Sequence, residues 1–143
     1  MEWEERIQNY AKETRFPRSL FVSGDGRVVG TWIMGNDYRV RSSYYGGYPA
    51  GYLRRVAALF PDRRRVLHVF SGKVDLGAMR GDTVDCNPAL EPTYVADAHD
   101  LRGVPLAGYD LVLADPPYAF DEVDELIAAI EPVLTDRAMV VIE

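Results

Sequence analysis

Asp115-Pro116-Pro117-Tyr118 gathers a carboxylate, backbone carbonyls stiffened by proline rings and an aromatic face into one short string. It closes an apolar run, Leu111-Val112-Leu113-Ala114, that has the character of a buried strand. The prolines forbid that strand from continuing, because neither has an N–H to give to a ladder. Acceptors and a ring are therefore presented at the C-terminal end of a strand, the edge where open α/β sheets bind ligands. At average usage of about 5% per residue type, a chain of this length contains such a string roughly once in a thousand sequences. The plainer alternative is a strand stopped by prolines beside a surface tyrosine.

Three more polar stations follow apolar runs. Phe70-Ser71-Gly72 ends the first of them, and a glycine there lets backbone approach a ligand closely. Asp85 lies near the end of the second, where a carboxylate can hold ribose hydroxyls through paired acceptors, as in dinucleotide folds. An ordinary turn carboxylate before Asn87-Pro88 is an equal alternative. Asp97-Ala98 directly follows Tyr94-Val95-Ala96, which favours Asp97 over Asp100 as the functional acid. His99 reads as merely solvated.

The elements that must position these stations follow from periodicity. Residues 2–12 form an amphipathic helix with Trp3, Ile7, Tyr10 and Ala11 on one face, ended by Pro17. Residues 20–23 and 27–34 read as a hairpin turned by Gly24-Asp25-Gly26. A Gly- and Tyr-rich loop spans 35–51, and a helix follows over 49–60. Strands are predicted at 66–70, 82–86, 93–97, 109–115 and 138–142. A helix at 121–134 precedes the last strand, with Val123, Leu126, Ile127, Ile130 and Leu134 as its buried stripe. Apolar strands with polar C-terminal ends imply a mostly parallel sheet. The connections 72–81 and 87–92 barely hold a turn of helix, although parallel neighbours normally need a crossover of a dozen or more residues. The expected fold is α/β, a minimal Rossmann-like sheet preceded by an N-terminal helix and β-hairpin. One domain is expected, with residues 1–47 as an N-terminal segment and 48–143 as the core.

The order of these stations resembles the S-adenosylmethionine-dependent amino-methyltransferases of the DPPY type, over residues 48–143. The resemblance implies a class I methyltransferase sheet. Phe70, Ser71 and Gly72 would hold the methionine part of S-adenosylmethionine, and Asp85 its ribose. Cys86 and Asn87 would line its adenine, and Asp97 with the backbone of Ala98 would contact that ring. Asp115, Pro116, Pro117 and Tyr118 would be catalytic. An exocyclic amine is a poor nucleophile because its lone pair delocalises into the ring. Hydrogen bonds to the Asp115 carboxylate and the Pro116 carbonyl would favour a pyramidal nitrogen and stabilise the positive charge that develops on it. Tyr118 would stack on the target ring, which a duplex must flip out. Two positions depart from the family pattern: Val74 where a second glycine is usual, and His68 where an acid is common. The implied activity is methylation of adenine N6 in DNA. The alternatives are an RNA base methyltransferase and a degenerate partner subunit that binds the cofactor without catalysis.

Charge distribution bears on the partner. Residues 1–65 carry a net of +5 and residues 66–143 a net of −11, within a total of −6. A basic half suggests a side facing a polyanion. Tyr38, Arg39, Arg41 and Tyr44 are the candidate substrate contacts, by stacking and phosphate binding. Cofactor contact and a purely structural role for that loop are equal alternatives, and Arg63-Arg64-Arg65 reads better as a solvated basic loop. A single cysteine, Cys86, and two histidines, His68 and His99, argue against a zinc site. The acidic start and the lack of a long apolar run point to the cytoplasm, with no membrane partner. The bare last strand suggests that residues 138–142 pair with a second copy, that the chain is truncated, or that it is a circular permutant whose hairpin completes the sheet.

Overall fold

The computed structural model describes residues 1–32, 34, 48–49, 51–105, 108–117 and 122–142. The expected contacts Tyr38, Arg39, Arg41, Tyr44 and Tyr118 lie outside the described residues. Two compact units emerge, one ending at Asp62 and the other running on from Arg63. Among the described residues, no helix is long and apolar enough to cross a membrane.

The first unit holds α1 (Trp3–Thr14), the antiparallel hairpin of β1 (Leu20–Val22) and β2 (Val28–Gly30), and α2 (Tyr52–Leu59). The helix assigned by periodicity to the core thus belongs with the N-terminal elements instead. Tyr10 of α1 is fully buried and stacks on Trp32, with ring centroids 5.8 Å apart. The strongest tie in this unit is polar. Arg6, only 4% exposed, donates to both carboxylate oxygens of Asp62 at 2.6 and 2.7 Å and to the Leu59 carbonyl at 3.2 Å. Its guanidinium also lies 5.9 Å from the Trp3 ring centre and 5.2 Å from that of Phe60. A planar fork satisfied on its edge and flanked by rings is a role lysine cannot fill.

The second unit is a five-stranded parallel sheet in the order β5-β4-β3-β6-β7. Its strands are β3 (Val66–Val69), β4 (Asp82–Asp85), β5 (Tyr94–Val95), β6 (Tyr109–Ala114) and β7 (Leu134–Ile142). This is the α/β Rossmann-like arrangement that the strand pattern implied. β3 and β6 sit inside the sheet, and Leu67, Val69, Leu111, Val112 and Leu113 are completely buried. Two covered faces explain why these strands read as continuous apolar runs rather than alternating ones. The link from β3 to β4 contains no helix, and that from β4 to β5 only a short 3-10 turn at Pro88–Leu90.

α3 (Val123–Ile130) lies between β6 and β7. It is shorter than its apolar pattern suggested, because Pro132 falls in a 3-10 turn, Glu131–Val133, that closes it. The expected stripe also narrows. Leu126 and Ile130 are buried, but Val123 is 39% and Ile127 49% exposed. These two lie on the neighbouring helical row, which the core does not reach. β7 begins at Leu134, earlier than expected, since a register shift between Tyr109 and Leu111 of β6 accommodates extra residues on β7. Among the described residues, no hydrogen bond pairs the hairpin with the five-stranded sheet. β1 and β2 pair only with each other, and β7 is an edge strand with β6 as its one partner among the described residues.

Removing Arg6 takes two short hydrogen bonds from the Asp62 carboxylate and one from the buried Leu59 carbonyl. Arg6→Ala should cost about 3 kcal/mol, the low end for breaking a buried ion pair, because Asp62 keeps some contact with water. Hydrogen exchange resolved by residue should show the lost protection concentrated in α1 and α2. A uniform or negligible change would mean that this clamp does not hold the unit together.

Candidate nucleotide and amine site at the sheet edge

Parallel register sets the stations in a row. Val69 of β3 lies opposite Val84 of β4 and Ala114 of β6. Phe70, Asp85 and Asp115 are each one residue further along, so all three leave the row together. With neighbouring strands about 4.8 Å apart, the Asp85 and Asp115 backbones flank the start of the Phe70 loop at a separation of roughly 10 Å. The strand order also reverses at β3, with β4 and β5 on one side and β6 and β7 on the other. The space between the loops after β3 and β6 is therefore a topological switch point, the ligand-binding crevice of open α/β sheets.

The loop after β3 is built for close approach. Phe70 has φ 56° and Gly72 φ 51°, both left-handed. Glycine takes this conformation freely, whereas at Phe70 it costs about 1–2 kcal/mol. Asp85 holds the loop in place. Its Oδ2 accepts from the Gly72 N–H at 2.9 Å and its Oδ1 from the Asn87 N–H at 2.9 Å. One carboxylate thus joins the turn after β3 to the turn after β4, and each oxygen keeps a second lone pair for a hydroxyl. The Asn87 Oδ1 accepts from the Ala89 N–H at 3.0 Å and caps the 3-10 turn, while Cys86 is exposed. Ser71 is 3% exposed, and its Oγ has no hydrogen-bond partner among the described residues. An open buried hydroxyl beside a strained turn is a feature that a bound polar group would complete.

Asp115 is half-buried, as is Pro116, while Pro117 is exposed. Burial pushes the Asp115 carboxyl above the ordinary aspartate value, and no counter-charge offsets it among the described residues. Asp97 lies two residues beyond Val95 and is engaged differently. Its Oδ1 accepts from the His99 N–H at 2.9 Å and from His99 Nδ1 at 2.6 Å, leaving Oδ2 with no partner among the described residues. His99 Nε2 in turn contacts Glu122. Between these two carboxylates, hydrogen bonding to Asp97 and then to Glu122 raises the imidazole pKa. The donors of His99, its backbone N–H first, hold Asp97 below its usual range. Ala98 packs into the sheet core and is 7% exposed.

His68, at the position where the resembling family often has an acid, is enclosed within β3. It is 0% exposed, its Nε2 lies 3.2 Å from the Met79 carbonyl, and the Tyr48 ring centroid is 6.1 Å away. A Cβ at Gly81 would fall 2.6 Å from the Val66 carbonyl oxygen and 3.1 Å from the His68 ring, so only glycine lets the chain pass there. His68 is a core residue of the strand that carries the site.

Sequence reading therefore placed Phe70, Asp85 and Asp115 in what the sheet makes one row. It missed His99 and Glu122 as partners. The aspartate two residues before His99 was an available signal, since Asx turns use that spacing. Nothing local foretold Glu122. Compared with protein-family models, curated proteins and solved structures, the chain gives no significant match.

Desolvation lowers the pKa of His68, with the Met79 carbonyl opposing weakly. The unfolded chain protonates this ring near pH 6.5 and the folded protein only at lower pH. Below about pH 6.5 the unfolded state binds the extra proton, so stability should fall as the pH drops. His99 has the opposite sign, so the comparison must isolate His68. Urea denaturation between pH 7.5 and 5.5 should show a smaller acid loss in His68→Leu than in the wild type. Parallel losses in the two proteins would contradict a neutral buried His68.

Proposed function

We propose that this chain transfers a methyl group from S-adenosylmethionine to an exocyclic amino group of a nucleic-acid base, with adenine N6 in DNA as the foremost substrate. One observation carries the reading: β3–β6 register sets Asp115-Pro116 beside Phe70-Ser71-Gly72 at the switch point of the sheet. S-adenosylmethionine, when bound, supplies a sulfonium-activated methyl group.

The chain's own residues bind and orient. The Phe70–Gly72 turn offers close backbone and the open Ser71 hydroxyl to the methionine end. Asp85 accepts from ribose hydroxyls through its remaining lone pairs while its other contacts fix the turn. Asp97 Oδ2 remains for the adenine amine. The Asp115 carboxylate and Pro116 carbonyl would accept from the target amino group, draw its lone pair out of conjugation and stabilise positive charge developing on that nitrogen. Positioning then carries most of the catalysis. Tyr118 as a stacking ring, and Tyr38, Arg39, Arg41 and Tyr44 as nucleic-acid contacts, are drawn from the sequence. The positive net charge of residues 1–65 supports a polyanionic substrate.

The raised carboxyl of Asp115 gives this reading a stability signature. In the folded protein Asp115 holds its proton to higher pH than in the unfolded chain, so its ionisation lowers stability as pH rises above about 4. At neutral pH, Asp115→Asn should raise Tm while reducing methyl transfer about a hundredfold or more, as expected for loss of one transition-state acceptor. Wild-type transfer should fall as the pH is lowered through the Asp115 pKa. The assay uses methyl-labelled S-adenosylmethionine with separate DNA, RNA and protein substrates. Label in DNA supports the reading, and label confined to RNA redirects it to an RNA base. Binding of the cofactor with no transfer makes the chain a non-catalytic partner, and undiminished transfer by Asp115→Asn removes Asp115 from catalysis.

A further inference from the structure

We propose that His99, Glu122 and Glu125 form a binding site for a first-row divalent transition ion beside an apolar groove along α3. His99 follows β5, whereas Glu122 and Glu125 come from the residue before α3 and from its first turn. The i, i+3 spacing of the two glutamates places both carboxylates at one end of the helix. One ligand atom from each of the three residues lies within 4.8 Å of the others. Around an ion with bonds of about 2.1 Å, tetrahedral ligands stand roughly 3.4 Å apart, so small rotations of exposed side chains close the set.

The ring is already oriented. Asp97 Oδ1 takes the Nδ1 side of His99 at 2.6 Å, leaving Nε2 directed at Glu122. Metal-binding histidines characteristically give their second ring nitrogen to a carboxylate in this way, which fixes the tautomer and strengthens the ligand. One imidazole with two carboxylates favours ions such as Zn²⁺ and Co²⁺ over Mg²⁺ and Ca²⁺, which seldom take nitrogen.

His99 and Glu125 both line a groove of about 710 Å³, together with Leu101, Val104, Ala129 and Val133. Its size is that of a small-molecule pocket. Three protein ligands leave at least one coordination position open, the mark of a metal that engages water or a further ligand rather than one that only holds a fold. Counting cysteines and histidines along the chain could not reveal this set, since two of its three members are glutamates that only the fold brings to His99.

The test uses the full chain without S-adenosylmethionine or nucleic acid, so its outcome is independent of the methyl-transfer assay. Co²⁺ is titrated and read by visible d–d absorption, and Zn²⁺ by calorimetry. One equivalent of each should bind. His99→Ala and Glu122→Gln should abolish the cobalt spectrum, and Asp97→Asn should weaken binding about 10–100-fold. Cys86→Ser should leave binding intact, and circular dichroism should be unchanged in every variant, since all of these residues are exposed. No binding of either ion, or a spectrum that survives His99→Ala, overturns the site.

Discussion

Parallel pairing of β3 with β6, with Val69 opposite Ala114, makes the two strands end level and release their chains side by side. The candidate site depends on this register. Strands paired one residue out of step would turn each side chain to the opposite face and separate Phe70 from Asp115 along the edge. The register is secured from within, because Leu67, Val69, Leu111 and Leu113 are all completely buried. Slipping the pairing would exchange these side chains between two close-packed faces and force both to repack.

Local energetic costs collect just beyond this secure region. Phe70 occupies a left-handed conformation, Ser71 keeps a buried hydroxyl open among the described residues, and Asp115 holds a half-buried carboxylate against desolvation. Each departs from what folding alone would select, and all three sit within two residues of the paired ends of β3 and β6. Asp85 counters one of them by fixing the Gly72 N–H, which makes it both scaffold and candidate ligand. Strain and unsatisfied polarity gathered at one strand edge favour a ligand site over an ordinary turn.

How much could be read from the chain depended on the range of the interaction. The central strands were legible because two buried faces demand continuous apolar runs, and their ends were legible because Asp, Pro and Gly stop such runs. The α3 pattern overstated the buried face, since periodicity reports which residues share a helix side but not how far the sheet extends beneath it. Val123 and Ile127 show that difference. Arg6 buried against Asp62, His68 enclosed inside a strand and His99 joined to Glu122 all depend on residues distant in sequence. A charge or imidazole in isolation gives no sign of such a partner.

The central claim is that the C-terminal edges of β3, β4, β5 and β6 form one nucleotide-binding and amine-binding row. The most direct measurement is a residue-resolved NMR titration of the ¹⁵N-labelled protein with S-adenosylhomocysteine, the demethylated product of the cofactor. The account predicts the largest shifts at the Ser71, Gly72 and Asn87 amides, with smaller ones near Asp97 and Asp115. Shifts absent from these loops, or confined to residues away from the strand ends, would contradict it.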